Sequence, residues 1–273
     1  MQTLDRIARG VRWPLLAALV AIPFALGAQA SPSRPMREHA LRAVVELVAL
    51  RESAPGTFAS GGRTLAGKQY VQGAQGGSGS IVDPSGIILT NAHVVVDTTR
   101  SGPSPLVEVR LTERPDQASR PAYLARVAAF DLKLDLAALR IVADISGRPV
   151  GKLELPYLTV GSSDDLLPGD SISLLGYPAI GGQTITFTAG YVSGFVGDDY
   201  LGPGRSFIKT DAKVSVGASG GAALDEQGRL VAVPTSLYFD RKSGAPQESQ
   251  NYLRPVALAR NLIQQASTFA TDR

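Results

Sequence analysis

Short apolar runs, separated by turn signals at regular intervals, extend from residue 80 to residue 233 and constrain the fold more than any other feature. In the first unit, residues 80–82 and 87–90 flank a turn at 83–86. Pro84 presets the second turn position, and Gly86 supplies the backbone freedom that closes it. Further strands are predicted over 106–111, 122–129, 136–142, 171–175, 184–192, 207–210 and 222–233, the last folded at 225–228. The pattern predicts an all-β protein.

The segments outside these strands differ from them in composition. The β-branched content of residues 43–50 favours a strand, after a polar lead-in at 31–42. Residues 52–77 are rich in glycine and serine and are predicted to form a long surface loop. Residues 144–160 carry glycines and prolines typical of a connector between two halves. Only residues 255–269 are predicted to be helical, since Pro255 suits a first turn and an apolar face follows.

The first 30 residues have the order of a secretory signal peptide. Three arginines precede an apolar run at 14–27, and small residues at 28–30 close it. A membrane anchor is the alternative, but the run is shorter than the roughly 20 residues that span a bilayer, and Pro14 and Pro23 interrupt it. We expect cleavage after Ala30, export to the periplasm or the medium, and no stable membrane insertion afterwards.

Composition excludes several classes of function. The chain carries a formal charge of +3, of which residues 1–30 supply three arginines and one aspartate, so the remainder is nearly neutral and no nucleic-acid partner is expected. Thiol catalysis is excluded because the chain has no cysteine. With only His39 and His93 available, we expect neither a metal site nor a cofactor.

Ser219 is the candidate nucleophile because it lies in the glycine-flanked stretch 217–221. A serine hydroxyl needs a base to take its proton and donors to stabilise the oxyanion, and glycines permit a tight turn whose N–H groups converge. The stretch also fits the nucleophile elbow of α/β-hydrolases. In that fold the histidine follows the serine, and here no histidine follows Ser219.

The base and its orienting group must therefore lie upstream. His93, at the end of an apolar strand, is favoured over His39, which is interpreted as a surface residue of the lead-in. Asp135 stands directly before a long apolar run, where a strand start can hold a carboxylate beside an imidazole. Asp131 is interpreted as a solvated turn residue, and Asp164 and Asp165 as surface loop.

The order histidine, aspartate, serine belongs to the trypsin-like double β-barrel, and the sequence resembles the HtrA/Deg proteases. The matching segments are 77–82, 88–95, 135–137, 175–178, 182–186, 210–212 and 217–221. The resemblance implies two six-stranded antiparallel β-barrels with a C-terminal helix. The expected divisions are the signal peptide at 1–30, the N-terminal segment and first barrel at 31–150, and the second barrel and helix at 151–273.

The resemblance also implies a serine endopeptidase acting through an acyl-enzyme, with the N–H groups of Gly217 and Ser219 as the oxyanion hole. Its partners would be protein or peptide substrates, including unfolded proteins, and a homo-oligomer is compatible with it. The alternative is a non-catalytic binding or chaperone-like protein on a protease scaffold. Many relatives carry a PDZ domain, which this chain is expected to lack. The family usually has asparagine just before the nucleophile, and this chain has Ala218. Alanine cannot pair with a new N-terminal ammonium, so activation of the kind found in digestive trypsin-like enzymes is not expected.

The specificity pocket is predicted to involve Lys213, six residues before Ser219, together with Val214 and Val233. A lysine pointing into the pocket would favour acidic residues before the scissile bond. A lysine reaching solvent would leave a pocket shaped by Val214 and Val233 for small aliphatic residues. The second interpretation is favoured because lysine is rarely buried without a partner.

Overall fold

The computed structural model describes residues 31–53, 63–65, 67–97, 102–179, 184–235 and 251–270. The predicted signal peptide at 1–30 lies outside these residues, as does part of the predicted loop at 52–77. In the part of the chain that is described, no helix is long and apolar enough to cross a membrane.

The first half of the chain forms a closed β-barrel. The sheet that forms it consists of β1 (Val44–Glu52), β2 (Arg63–Leu65), β3 (Lys68–Asp83), β4 (Ile87–Thr90), β7 (Leu106–Leu111), β8 (Arg120–Asp131) and β9 (Leu136–Asp144). Two further strands, β5 (Val96–Asp97) and β6 (Gly102–Pro103), pair only with each other. The order β1-β7-β8-β9-β4-β3 closes through the β1–β3 pairing, while β2 pairs only with β3. All of these pairings are antiparallel.

The second half forms another closed six-stranded barrel. Its strands are β10 (Ser171–Gly176), β11 (Thr186–Asp198), β12 (Gly202–Thr210), β13 (Ala222–Leu224), β14 (Leu230–Thr235) and β15 (Asn251–Pro255). They follow each other in the order β10-β11-β12-β15-β14-β13 and are antiparallel throughout. The predicted fold class, two six-stranded antiparallel barrels, is therefore confirmed.

Four apolar clusters are buried in the described residues, and three of them hold the two barrels together. One fills the first barrel around Leu47, Ile88 and Leu139. A second fills the other barrel around Ile172 and Ile208. The third lies between the barrels and takes side chains from both, together with the C-terminal helix: Leu89, Leu136, Leu175, Leu224, Val233 and Leu262. Because strand residues alternate between two faces, each barrel can bury one set of side chains inside and offer another to its neighbour.

The chain has three helices in its described part: α1 (Arg34–Ala43), α2 (Ala92–Val95) and α3 (Arg260–Ser267). The predicted C-terminal helix is confirmed, with a 3-10 turn at Val256–Ala259 before α3. The prediction that only residues 255–269 are helical is wrong, because α1 lies in the polar lead-in. Only Ala40 and Ala43 are buried in α1, so its apolar face is too small to stand out in the sequence. A proline in the first turn and a 2.9 Å ion pair from Arg34 to Glu38 favour this helix.

The prediction of a loop over 52–77 is also wrong where the structure describes it. Residues 63–65 and 68–83 pair as β2 and β3, and β3 continues along β1. Gly79 of β3 lies where neighbouring side chains come very close to the strand backbone. A Cβ on Gly79 would lie 2.7 Å from Cγ2 of Ile88 and 2.9 Å from Cδ1 of Leu47. A glycine in a strand can therefore signal a crowded neighbour as well as a turn.

The predicted connector bridges the two barrels by backbone hydrogen bonds. The N–H of Leu158 donates to the carbonyl oxygen of Ile81 of β3 at 2.8 Å, and the carbonyl oxygen of Thr159 accepts the N–H of Leu230 of β14 at 2.9 Å. His39 of α1 also contacts this connector, with 2.7 Å between its Nε2 and the carbonyl oxygen of Tyr157.

Candidate active site

His93 lies in α2, a single helical turn that follows β4 directly. The sequence predicted the end of a strand here, and the structure instead breaks the strand at Asn91. The Asn91 side chain donates from Nδ2 to the carbonyl oxygen of Asp135 at 2.8 Å. This bond ties the start of α2 to the segment that carries the candidate carboxylate.

Asp135 lies at the end of a tight turn between β8 and β9. Oδ1 of Asp131 accepts the N–H groups of Lys133 at 2.8 Å and Leu134 at 3.0 Å, which fits its interpretation as a turn residue. Asp135 itself has φ of 53°, and it is the one non-glycine residue with positive φ in the described part of the chain. Such backbone is disfavoured for residues with a Cβ, and it persists where the surroundings hold it.

His93 and Asp135 are hydrogen-bonded to each other. Nδ1 of His93 lies 2.9 Å from Oδ2 and 3.0 Å from Oδ1 of Asp135, and the His93 backbone N–H donates to Oδ1 at 3.0 Å. A carboxylate accepts hydrogen bonds only, so Nδ1 carries the proton in the neutral imidazole. Nε2 is then the basic nitrogen. The two side chains are 25% and 22% exposed, which leaves the pair accessible from solvent.

Thr235, at the end of β14, is a third partner that the sequence did not reveal. Its Oγ1 donates to Oδ2 of Asp135 at 3.2 Å, and Thr235 is 3% exposed. The second barrel thereby contributes to the orientation of a carboxylate carried by the first. The available signal was a polar residue closing an otherwise apolar buried strand.

Backbone hydrogen bonds hold the carbonyl groups in and just before the loop at 217–221. Val216 accepts from Ala179 N–H at 2.8 Å, and Ala218 accepts from Gly221 N–H at 3.1 Å. In a trans peptide the carbonyl and the following N–H point in opposite directions. These two bonds therefore turn the N–H groups of Gly217 and Ser219 away from Ala179 and Gly221. Gly217 has φ of 91°, which favours glycine at this position.

The same loop packs against the segment that carries His93. The carbonyl oxygen of Ser219 accepts the N–H of Ser78 at 2.8 Å, and a Cβ on Gly77 would touch both this oxygen and the side chain of Val94, each at 2.9 Å. A Cβ on Gly220 would meet the side chain of Thr90. Ser219, which is 2% exposed, is thus brought beside α2, which carries His93.

The residues predicted for the specificity pocket do not share one surface. Lys213 and Val214 line a pocket beside the loop of Ser219, together with Thr188, Ala218 and Pro234. Pro234 and Thr235 point to opposite faces of β14, so this pocket lies across the strand from Asp135. Val233 is fully buried between the barrels and does not line it. The Lys213 side chain is exposed, and residues 236–250, which follow Thr235, lie outside the described residues.

No group of three or more histidine, aspartate or glutamate side chains within the described ranges is arranged to hold a metal ion. The chemistry available at this place is that of a serine hydroxyl, an imidazole, a carboxylate and backbone N–H groups.

Comparison with known proteins places this geometry in a family. Residues 77–233 match the family model described as a trypsin-like peptidase domain. A probable periplasmic serine endoprotease DegP-like from Marinomonas sp. (strain MWYL1) is 32% identical over 166 residues, covering 59% of this chain and 30% of that protein. Serine protease HTRA1 from Xenopus tropicalis is 35% identical over 166 residues, covering 59% of this chain and 31% of that protein.

Among solved structures, the HtrA-type protease AlgW with a decapeptide superimposes with a TM-score of 0.57 at 28% identity, covering 85% of this chain and 66% of that one. The chain thus spans about a third of the length of these curated relatives. The chain therefore belongs to the trypsin-like peptidase domain family, and within that family it is similar to serine proteases of the HtrA/Deg type.

Proposed function

We propose that this protein is an exported serine endopeptidase in which Ser219 is the nucleophile, His93 the general base and Asp135 the group that orients His93. The observation that carries the proposal is the bond from His93 Nδ1 to Asp135 at 2.9 Å, beside the glycine-rich loop of Ser219. The similarity to proteins named serine endoproteases supports it.

The proposed reaction has two halves. Ser219 Oγ attacks the peptide carbonyl carbon while Nε2 of His93 accepts the hydroxyl proton, and the N–H groups of Gly217 and Ser219 stabilise the oxyanion. The intermediate collapses, the amine leaves with the proton from His93, and an acyl ester on Ser219 remains. Water, deprotonated by His93, then attacks the ester, and the carboxylic acid departs as Ser219 regains its proton.

The test combines hydrolysis with covalent labelling. Wild-type protein should cleave unfolded casein and take up a fluorophosphonate probe on the peptide that contains Ser219. Ser219→Ala should lose roughly six orders of magnitude in turnover, because the groups act as a unit. Ser173→Ala is the matched control, since Ser173 is also fully buried in the second barrel and its Oγ has no hydrogen-bond partner within the described residues.

Two outcomes would count against the proposal. Casein cleavage that survives in pure Ser219→Ala would exclude Ser219 as the nucleophile. A wild-type protein that binds unfolded casein without cleaving it would favour the alternative, a non-catalytic binding or chaperone-like protein. Export is tested separately, by sequencing the N-terminus of protein recovered from the periplasm or medium, which should begin at Ser31.

For substrate choice, we propose that cleavage follows small aliphatic residues. The exposure of Lys213 supports this, because its ammonium can reach solvent without an acidic partner from the substrate. Cleavage-site profiling in a denatured proteome should give mainly valine, alanine or leucine before the cut, and Lys213→Ala should leave that preference unchanged. An excess of glutamate or aspartate that disappears in Lys213→Ala would contradict it.

A further inference from the structure

Ser78 of β3 lies where three segments meet, between the barrels. Its neighbours are the end of β10, the end of β4 and the loop that carries Ser219. The residue is fully buried. A Cβ on Gly176 would lie 3.0 Å from Ser78 Oγ and 2.9 Å from the Cα of Ala218, so these segments are in direct contact.

Both the side chain and the backbone of Ser78 are hydrogen-bonded to these segments. Oγ donates to the carbonyl oxygen of Gly217 at 2.8 Å and accepts the N–H of Tyr177 at 2.8 Å. The Ser78 N–H donates to the carbonyl oxygen of Ser219 at 2.8 Å, and the Ser78 carbonyl accepts from Thr90 Oγ1 at 2.7 Å. One residue of the first barrel thus fixes two carbonyls of a loop in the second.

The carbonyls of Gly217 and Ser219 alternate along the chain with those of Val216 and Ala218, which are also hydrogen-bonded. Ala179 and Gly221 fix the carbonyls of Val216 and Ala218, while Ser78 fixes those of Gly217 and Ser219. Four consecutive peptide planes are thereby oriented. The Gly217–Ala218 peptide is held at both ends, by the Ser78 hydroxyl on the Gly217 carbonyl and by the Ala218 N–H, which donates to the carbonyl oxygen of Ser215 at 2.9 Å. It lies between the two peptide planes that carry the N–H groups of Gly217 and Ser219, so a rotation of it would change ψ of Gly217 and φ of Ala218 and disturb both of those planes.

We propose that Ser78 is a positioning residue for the oxyanion hole: its hydroxyl, held by the Tyr177 N–H, fixes the Gly217–Ala218 peptide, which joins the two peptide planes that carry the N–H groups of Gly217 and Ser219. This inference rests on the proposed function of the loop. Ser78 does not touch the reacting atoms, so it should affect the stability of the transition state more than the binding of substrate.

Ser80 provides a comparison within the same strand. It lies two residues further along β3 and is also fully buried, yet its Oγ has no hydrogen-bond partner in the described part of the chain. A buried serine on this strand therefore does not by itself require the bonds that Ser78 makes.

The experiment measures kcat and KM for wild type, Ser78→Ala, Ser78→Cys, Ser80→Ala and Ser219→Ala, using a quenched peptide taken from a mapped casein cleavage site. Thermal unfolding of each variant is followed in parallel. Cysteine keeps the volume of the side chain but is a weak donor and acceptor, so it separates hydrogen bonding from packing. Both Ser78 variants should lose about tenfold or more in kcat, as loss of an oxyanion donor does, with KM changed by less than about twofold.

Ser80→Ala should retain the wild-type kcat. If the folded Ser78 variants also retain it, or if Ser78→Cys is fully active while Ser78→Ala is not, packing explains the residue and the inference is wrong. If neither Ser78 variant folds, the residue serves stability and the inference is likewise overturned. If the wild-type protein does not cleave the peptide, the proposed peptidase function is wrong. Failure of that proposal is therefore distinguishable from failure of the inference about Ser78.

Discussion

Arg254 of β15, which is buried, forms an ion pair with the partly buried Asp198 of β11, with 2.9 Å between Nη1 and Oδ2. The same guanidinium donates to the carbonyl oxygens of Ser206 at 2.9 Å and Lys133 at 3.2 Å. Lys133 belongs to the turn that ends at Asp135. A cation of the second barrel is therefore bonded to the turn that carries the candidate carboxylate of the first.

Removing this cation should destabilise the protein strongly. Arg254 is 4% exposed, so Arg254→Met leaves Asp198 and two carbonyls without their partner, at an expected cost of about 3–5 kcal/mol in the free energy of unfolding. Urea unfolding measures it. Arg229→Met is the control, because the Arg229 side chain in its pair with Asp225 is 49% exposed, and it should cost about 1 kcal/mol or less. Equal costs for the two variants would contradict the prediction.

The same pair predicts how stability responds to acid. Burial alone would raise the pKa of Asp198, but hydrogen bonds from Leu201 N–H and Arg254 outweigh it and hold the pKa below its ordinary 3.8. The unfolded chain therefore takes up a proton at this residue before the folded one does, and the contribution is lost as pH falls below about 4. Asp198→Asn, which cannot titrate, should show a shallower loss of stability in urea unfolding between about pH 5 and pH 3. A slope equal to that of wild type would refute this.

Thr235→Val should reduce catalysis without removing it. Valine keeps the shape of threonine but cannot donate to Asp135, and a hydrogen bond to a charged group is worth about 1.5–3 kcal/mol. The loss corresponds to roughly 10- to 100-fold in kcat/KM on the casein-derived peptide. Thr235→Ser, which keeps the hydroxyl, should recover most of it. Equal activity of the valine and serine variants would show that the bond does not orient Asp135.

Gly220→Ala should disrupt the loop of Ser219. Gly220 has φ of 84°, and an added Cβ would collide with the side chain of Thr90 and the carbonyl of Ser78. We expect loss of fluorophosphonate labelling and a lower melting temperature. Gly151→Ala is the control, because nothing lies within 4 Å of the added Cβ and the backbone there is ordinary. Labelling of Gly220→Ala at the wild-type rate would contradict the prediction.

Local patterns in the sequence were sufficient for most of the strands and for the candidate groups, but not for β2, the start of β3 or β15. The hairpin turn at 83–86 closes as predicted, with Gly86 N–H donating to the Asp83 carbonyl at 3.0 Å and Gly86 at φ of 93°. The strand predicted at 106–111 is β7. His93 and Asp135 were paired by chain order and residue type, and the structure brings them together, although their catalytic roles with Ser219 stay a prediction.

The residues that support those groups were decided by the tertiary structure alone. Thr235 and Asp135 are 100 residues apart in the chain, and Ser78 and Gly217 are 139 apart, so no periodicity or motif connects them. Val233 was predicted to shape a pocket together with Val214, but it is buried in the core between the barrels. The spacing of apolar residues indicates which face of a strand is buried, because residues two positions apart in the sequence lie on the same face. Which hydroxyl meets which carboxylate or carbonyl depends on how two closed barrels pack, and only the assembled fold determines that.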